Sequence, residues 1–375
     1  MDGTAQSTEI GEQTLFDWLR LIRSDNVGPA MFRRLINRFG SAENAIEALP
    51  DLIKGSTAKR AIRLAPPDKI AQEIELTRKF SAQFVTLIDP AYPELLKHIS
   101  DAPPVLIVLG NKELLNAKAI AVVGARNASA AGTSVTKQIA HQLGEAGYVI
   151  ASGLAKGIDA AAHAAALNTG TIAVFAGGID HIYPDSNIEL ARNILRHKGV
   201  LMTERAFGSI PRAQDFPRRN RIVSGISQGV VVIEAAIRSG SLITARMALE
   251  QNREVMALPG FPLDPRAEGG NKLIRDGATL VRHADDILQE LEQSRPPKQQ
   301  GFLQEDEFDT IYTSTQQAPN ATEQVLSALS PTPTPIDDIV RHTKLPVAIV
   351  STILLDLEIA GRLERSAGQL VALRP

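Results

Sequence analysis

The stretch from Ala117 to Asp159 constrains the fold more than any other part of the chain, because it alternates short apolar runs with glycine loops. Ala119 to Val123 is an apolar run that stops at a glycine, which is typical of a buried parallel strand. Ser129 to Ala146 then has apolar residues at helical spacing, and Tyr148 to Ala151 is a second apolar run. The order strand, helix, strand predicts a right-handed crossover unit within a parallel sheet.

The loop after the first strand departs from a dinucleotide-binding fingerprint. That fingerprint has glycine at its first, third and sixth positions, so that backbone can approach a pyrophosphate. Here those positions hold Gly124, Arg126 and Ser129. Arg126 blocks the close approach and places a guanidinium beside a positive helix N-terminus, which favours a phosphate held by a side chain over a buried NAD.

A second glycine loop follows the next strand, with the sequence SGLAKGID from Ser152 to Asp159. It brings Lys156 and Gly157 to the start of another predicted helix. Because the carboxyl ends of neighbouring parallel strands meet at one sheet edge, Arg126 and Lys156 are expected to lie close together. The two loops therefore predict a phosphate-binding rim.

A cluster of arginines lies further along the chain. The formal net charge of −2 argues against a non-specific polyanion coat, but a local basic patch supplies the field that matters. The cluster surrounds Phe216 and Asn220, which can stack on or hydrogen-bond a base, so nucleic acid is favoured over a merely solvated face. Its members are Arg212, Arg218, Arg219, Arg221 and Arg238.

Two more predicted helix starts contain small or polar residues. Ser239, Gly240 and Ser241 are interpreted either as an anion nest or as a cap with tight helix packing. Asn271 and Lys272 repeat the theme after two glycines. Loops of this kind on one open sheet converge in the crevice where doubly wound folds bind ligands.

Catalytic chemistry finds little support in the sequence. His163 lies four residues after Asp159 on one predicted helix, and a hydrogen bond on the helix surface is favoured over an acid–base pair. The loop from Asp180 to Pro184 either lines a site or forms a turn. The chain has no cysteine and no phosphate loop of the GxxxxGK[ST] type, so we expect no catalytic residue, metal or cofactor.

Six ordered blocks resemble the DprA/Smf family of bacterial DNA-processing proteins. Together they are specific, and the resemblance spans roughly Phe84 to Ala284. The blocks are VGAR (Val123–Arg126), SGLAKGID (Ser152–Asp159), FPRRNRI (Phe216–Ile222), EA..RSGSLITA (Glu234–Ala245), ALPG (Ala257–Gly260) and GGNKLIRDGA (Gly269–Ala278).

The resemblance implies an α/β, doubly wound Rossmann-like domain that binds single-stranded DNA. Such a protein protects incoming DNA, loads RecA recombinase in place of single-strand-binding protein during natural transformation, and forms a homodimer through its central domain. Related folds include nucleotide phosphoribohydrolases, so a nucleotide-binding enzyme is the alternative. The predicted DNA-binding residues are Gly124, Arg126, Lys156, Gly157, Phe216, Arg218, Arg219, Asn220, Arg221, Ser239, Gly240, Ser241, Asn271 and Lys272.

We expect four segments along the chain. Residues 1–80 form a small helical domain like a sterile-alpha-motif or helix-hairpin-helix unit, which either contacts DNA phosphates or serves only for docking. Residues 81–293 form the Rossmann-like domain, residues 294–319 a linker rich in Pro, Gln and acidic residues, and residues 320–375 a winged helix. Its third helix, Leu345 to Ala360, has Asp356 and Glu358 but no Lys or Arg, which favours a protein-interaction or regulatory role over reading duplex DNA.

The amino terminus and the hydropathy pattern predict the compartment. The sequence begins MDGTAQSTEIGEQT, which is polar and acidic and therefore unlike a signal peptide. No uninterrupted apolar run reaches the length of a membrane span. We therefore expect a cytoplasmic protein.

Overall fold

The computed structural model of the protein describes residues 10–53, 62–293, 321–366 and 369–374. The chain divides into two compact units, one with residues 1–10 and 71–298 and the other with residues 11–70 and 299–375. The predicted linker, residues 294–319, lies outside the described residues. No helix in the described ranges combines the length and apolar character that crossing a bilayer requires.

The regular elements of the described ranges are as follows. The helices are α1 (Glu12–Ile22), α2 (Pro29–Phe39), α3 (Ala42–Ile53), α4 (Pro67–Lys79), α5 (Glu94–Lys97), α6 (Ala130–Glu145), α7 (Ile158–Ala165), α8 (Ile188–Arg196), α9 (Asp215–Gly225), α10 (Gly240–Glu250), α11 (Glu268–Arg275), α12 (Ala284–Gln293), α13 (Ala321–Ala328), α14 (Ile336–Thr343) and α15 (Val347–Ile359). The strands are β1 (Gln83–Thr86), β2 (Val105–Gly110), β3 (Ala119–Val123), β4 (Val149–Ser152), β5 (Thr171–Val174), β6 (Val200–Thr203), β7 (Gly229–Val232), β8 (Glu254–Ala257), β9 (Thr279–Leu280), β10 (Thr334–Pro335), β11 (Leu363–Ser366) and β12 (Leu370–Leu373).

The first unit is built on a nine-stranded sheet with the order β1-β2-β6-β5-β4-β3-β7-β8-β9. The seven strands from β6 to β9 in this order are mutually parallel, and β2 runs antiparallel to both of its neighbours. Helices cover both faces, and for that reason the central strands are apolar throughout rather than alternating. The predicted doubly wound α/β fold is confirmed.

Strand β3 shows how the sheet divides the core. All five of its residues are buried, with Ala119, Ala121 and Val123 in one apolar cluster. Ile120 and Val122 belong to a second cluster on the opposite face. This alternation is the period of two expected of a strand whose two faces are both covered by helices.

The strand order reverses at β3, which positions the functional edge of the sheet. From β3 the chain continues through β4, β5 and β6 on one side, and it then returns to place β7, β8 and β9 on the other. The loops that leave the carboxyl ends of β3 and β7 therefore run to opposite faces and open a crevice between them.

The second unit joins the amino-terminal helices to the winged helix. Helices α13, α14 and α15 and the β10-β12-β11 sheet form the expected three-helix domain with a wing. Leu355 and Ile359 of α15 belong to the apolar cluster of α1, α2 and α3, which includes Phe32 and Leu35. The outer face of α15 is therefore occupied by the amino-terminal helices.

Ion pairs reinforce that contact. Arg34 of α2 donates to Glu358 at 2.9 Å, and Arg38 pairs with Asp356. The two carboxylates that the sequence analysis noted on the third helix of the winged domain thus face arginines of the same unit. Gly40 ends α2 in the left-handed conformation at φ 78°.

Candidate nucleic-acid interface

A crevice of about 600 Å³ opens at the carboxyl ends of β3, β4 and β7, where the strand order reverses. Its walls come from the loops after these strands and from α9 and α10. The lining residues are Val123, Gly124, Ala125, Arg126, Asn127, Gly153, Ala155, Asp159, Ala213, Phe216, Pro217, Arg219, Asn220, Val223, Ala236, Ser239, Gly240, Ser241, Ile243, Thr244 and Arg266.

The two predicted glycine loops lie in direct backbone contact. Ile158 donates its N–H to the carbonyl of Ala125 at 3.2 Å. Gly157 has φ 77°, and a side chain there would collide with the same carbonyl. Gly124 is equally confined, since a Cβ would meet Ile158 at 2.6 Å. These close approaches place exposed Arg126 and Lys156 on neighbouring loops, as the sequence predicts.

Arg126 and Phe216 lie in contact on the crevice wall. The Arg126 guanidinium carbon lies 5.5 Å from the centroid of the Phe216 ring, within the range of a cation–π contact. Asn220, one helical turn after Phe216, donates its side-chain N–H to the carbonyl of Gly240 at 3.2 Å. A cation and a half-buried aromatic ring are thus presented together on a fixed support.

Arg219 forms the floor of the crevice and is only 5% exposed. Its Nη1 donates to the carbonyl of Val174 at 2.9 Å, while its Nε has no partner among the described residues. Gly153 makes room for it, because a side chain there would collide with the guanidinium. Burial lowers the pKa of Arg219 to about 10, partly offset by the Asp159 carboxylate, so the guanidinium stays charged at neutral pH.

Asp159 and His163 are buried structural groups with separate partners, so the predicted surface hydrogen bond between them is wrong. Asp159 accepts from the N–H groups of Gly153 and Ala155 at 3.1 and 3.3 Å, which fixes the loop that bears Lys156. His163 Nδ1 lies 2.7 Å from the Thr171 hydroxyl. Burial, with a contribution from Arg219, lowers the pKa of His163 to about 3, so the ring is neutral.

The N-terminus of α6 is already occupied by a carboxylate. Glu234, at the end of β7, accepts from the N–H of Ser129 at 2.9 Å and from its hydroxyl at 2.5 Å. The Ser129 oxygen in turn caps α6 by accepting from the N–H of Gly132 at 2.8 Å. An internal anion therefore takes the place where a ligand phosphate was expected, and Arg126 remains as the cation of this loop.

The remaining predicted residues lie partly in the crevice lining and partly outside it. Ser239, Gly240 and Ser241 line the crevice, and the two serine hydroxyls pair with each other at 2.8 Å instead of capping α10. Arg218 is exposed on α9 but does not line the crevice.

Three predicted residues have structural partners or lie apart. Arg221 is buried and forms ion pairs with Glu204 and Asp101. These ion pairs anchor α9 to the loops that bear the two carboxylates. Asn271 uses its amide to hold the N–H and the carbonyl of Gly260, both at 3.0 Å. Lys272 lies in the second half of α11, not at its start. We leave these residues out of the proposed interface.

Sequence reasoning missed three residues near the crevice. Asn127 and Arg266 line it; Asn127 lies within the predicted loop 124–129 but was not singled out, and Arg266 lies outside the recognised motifs. Arg266 is oriented by Asp264 at 2.9 Å. Tyr183, in the loop after β5, packs edge-to-face on Phe216 with ring centroids 5.6 Å apart. The sequence does show an aromatic residue in a loop at a strand end. This pattern is typical both of a binding site and of a turn, so it did not identify Tyr183.

The crevice lining contains several kinds of group that can bind a ligand. It combines cationic side chains, an aromatic ring and hydroxyl groups, which suit a phosphate backbone and its bases. Among the residues described, no group of three or more His, Cys, Asp or Glu side chains is placed to hold a metal ion.

Three protein-family models match the chain in succession. The model described as DNA recombination-mediator protein A matches residues 83–292. A DprA-like N-terminal HHH domain matches residues 12–75, and a DprA winged helix domain matches residues 312–369.

Individual relatives agree with the family models. Protein Smf of Escherichia coli is 36% identical over 95% of both chains. The crystal structure of DNA processing protein A from Streptococcus pneumoniae superimposes with a TM-score of 0.58 and 34% identity, covering 70% of this chain and 98% of that one. A structure of DNA processing protein A from Helicobacter pylori, titled for its single-stranded DNA binding mode, gives a TM-score of 0.52 and 29% identity over 56% and 96% of the two chains. Matched by these models and relatives along nearly its whole length, the chain belongs to the DprA/Smf family.

Proposed function

We propose that this protein binds single-stranded DNA in the crevice at the carboxyl ends of β3, β4 and β7. The observation that carries the proposal is the Arg126 guanidinium 5.5 Å from the half-buried Phe216 ring, above the charged floor of Arg219. Aromatic rings beside cations bind successive nucleotides of a single strand with little base preference.

The size of the crevice supports a single strand over a duplex. A volume of about 600 Å³ is within the range of small-ligand pockets and suits one or two nucleotides. A duplex keeps its bases paired and stacked, so it cannot present a base face to Phe216 without being opened. The exposed positions of Arg126 and Lys156 suit the backbone that accompanies such a base.

The relatives support a wider role. The Helicobacter pylori relative has a single-stranded DNA binding mode, and the matching family is that of DNA recombination-mediator protein A. We extend the proposal accordingly: the protein protects incoming single strands in the cytoplasm and loads RecA onto them during natural transformation. It does so as a homodimer through the unit that contains the nine-stranded sheet.

A fluorescence-anisotropy titration tests the binding proposal. A labelled dT oligomer and the matching duplex are titrated at two salt concentrations, with AMP and ATP as competitors. We expect tight, salt-sensitive binding of the single strand, weaker binding of the duplex and no competition by mononucleotides. Displacement by low AMP concentrations would contradict the proposal and favour a mononucleotide site.

The partner proposals need their own assays. RecA filament formation on a single strand coated with single-strand-binding protein should speed up when this protein is added. Light scattering of the purified protein should report the mass of a dimer. A monomer, or no effect on filament formation, would contradict the corresponding part of the proposal.

The enzyme alternative can be tested on the same preparation. Because Glu234 is engaged by the N–H and the hydroxyl of Ser129, we expect no release of base or phosphate from mononucleotides. Turnover that is abolished by Glu234→Gln would contradict a purely binding role.

A further inference from the structure

The loop after β5 bears an exposed aromatic side chain for which the crevice gives no role. Tyr183 is 53% exposed, and its hydroxyl has no hydrogen-bond partner among the described residues. It does not line the crevice, but its ring meets Phe216 edge-to-face, with centroids 5.6 Å apart and an interplanar angle of 65°. Arg126, Phe216 and Tyr183 therefore form a row of consecutive contacts that leads out of the crevice.

The Tyr183 loop is fastened to the cationic loop after β4. Asn187, which is only 8% exposed, donates its side-chain N–H groups to the carbonyls of Leu154 and Ala155 at 2.9 and 3.1 Å. Those two residues directly precede Lys156. The loop that bears Tyr183 is therefore tied to the backbone directly before Lys156.

The other side of the same loop is also secured. Gly178 donates its N–H to the carbonyl of Ser209 at 2.8 Å, and the Asp180 carboxylate accepts from the N–H of Gly208 at 2.9 Å. Because the loop is held on both sides, its aromatic residue loses little conformational entropy when a base stacks on the ring. About half of the Tyr183 side chain nevertheless remains exposed to water. This part of the ring therefore gains no free energy from burial in the free protein.

We propose that Tyr183 is a second stacking residue for a single-stranded nucleic acid, and that it extends the bound strand past Phe216 towards the β5 end of the sheet. This inference rests on the proposed single-strand binding. Stacking, rather than hydrogen bonding, is the interaction assigned, because the exposed ring face continues the row that Phe216 begins.

Dissociation constants for dT oligomers of increasing length test the inference. Tyr183→Ala and Tyr183→Leu should weaken binding of long oligomers about fivefold to a hundredfold, and binding of oligomers that fill only the crevice much less. Tyr183→Phe should bind within about twofold of the wild type, because the ring is kept. The salt dependence should not change, since no phosphate contact is lost.

Phe80→Ala is the matched control. Phe80 is 43% exposed and packs edge-to-face on Phe207, with ring centroids 5.5 Å apart. Its substitution by alanine therefore removes a similar aromatic contact away from the crevice lining. This variant should bind like the wild type. Wild-type affinity of Tyr183→Ala at every length would overturn the inference while single-strand binding stands, whereas a wild-type protein that binds no single strand overturns both.

A second measurement needs no substitution. Nitration with tetranitromethane should modify Tyr183 in the free protein and spare Tyr92 and Tyr148, which are 0% and 6% exposed. A bound long dT oligomer should protect Tyr183, and equal nitration with and without the oligomer would overturn the inference.

Discussion

Arg126 and Lys156 are exposed cations on the loops after β3 and β4, and these two loops are in direct backbone contact. Arg126→Ala and Lys156→Ala should each weaken single-strand binding without unfolding the protein. Each should also reduce the slope of log affinity against log salt by about 0.7, because one phosphate contact is lost. Anisotropy titrations at four salt concentrations measure both effects.

Two variants sharpen this prediction. Arg126→Lys keeps the charge but loses the planar contact with Phe216, so it should keep the salt slope and bind less tightly. Lys272→Ala removes an exposed cation on α11, which is not part of the loops after β3 and β4, and should bind like the wild type. If Arg126→Ala and Lys156→Ala both bind like the wild type at matched salt, the proposed rim is wrong.

His163 is a buried residue that should make the free energy of unfolding depend on pH. Its pKa is lowered to about 3 in the folded protein by burial and is about 6.5 when the chain unfolds. Between these values the unfolded chain binds a proton that the folded protein does not. The free energy of unfolding should therefore fall on acidification below about pH 6.5, by up to roughly 1.4 kcal/mol per pH unit from this residue.

Urea denaturation at pH 7, 6 and 5 measures that loss of stability. His163→Gln has no titrating ring, so its free energy of unfolding should depend less steeply on pH than that of the wild type. Equal pH slopes for the two proteins would show that His163 does not control this part of the acid sensitivity.

The segment around Arg219 shows which properties of single residues the sequence could predict and which it could not. The cluster in FPRRNRI was recognised as a binding segment, and Phe216, Arg219 and Asn220 do line the crevice. Helical geometry then separates residues that are adjacent in sequence, so Arg218 faces solvent and Arg221 pairs with Glu204 and Asp101. Arginine spacing alone cannot give these different surroundings.

At the scale of elements, some of the four- and five-residue strands were predictable and others were not. The apolar runs Ala119 to Val123 and Tyr148 to Ala151 located β3 and β4 within one residue. β6 has only four residues, VLMT, and was missed. The carboxylate that pairs with the N-cap of α6 was equally hidden, because Ser129 and Glu234 lie 105 positions apart in the chain.

The contact between α2 and α15 is a second feature that composition indicated only in part. The acidic third helix of the winged domain suggested a protein partner, and in the structure Glu358 and Asp356 face Arg34 and Arg38 of the same unit. This contact covers the helix that duplex-reading winged domains place in the major groove. A regulatory role for the winged domain stays a prediction.

A double-mutant cycle on Arg34 and Glu358 tests the strength of that contact. The side chains are 29% and 18% exposed, so we expect a coupling energy of about 0.5–1 kcal/mol from urea unfolding. The pair Arg341 and Asp338, at 77% and 52% exposure within one helix, should give less. Coupling no greater than that of the exposed control would show that the pair contributes nothing to the contact.

At the scale of the whole molecule, the reversal of strand order decides where the site lies. The glycine loops predicted that several strand ends converge, but the order β5-β4-β3-β7 that creates the crevice depends on long-range strand pairing. Local sequence patterns do not encode that pairing. The domain boundaries expected after residues 80, 293 and 319 likewise stay predictions.

All residues that line the crevice lie between Val123 and Arg266, and both apolar clusters of the central strands lie in the same unit. A fragment of residues 66–293, which keeps α4 whole, should therefore fold and bind single strands within a few fold of the full chain. Circular dichroism and anisotropy measure the two properties. Loss of all binding by a folded fragment would place the DNA site in the second unit.

The most direct test of the central claim is photo-cross-linking to a dT oligomer containing 5-iodouracil, followed by mass spectrometry of the adducts. If the crevice at the β3–β7 switch binds the strand, adducts should occur on Phe216 and within the loops 124–129 and 153–157. They should disappear when unlabelled single strand is in excess and persist with excess AMP. Adducts confined to residues 321–374 or to the amino-terminal helices would contradict the account.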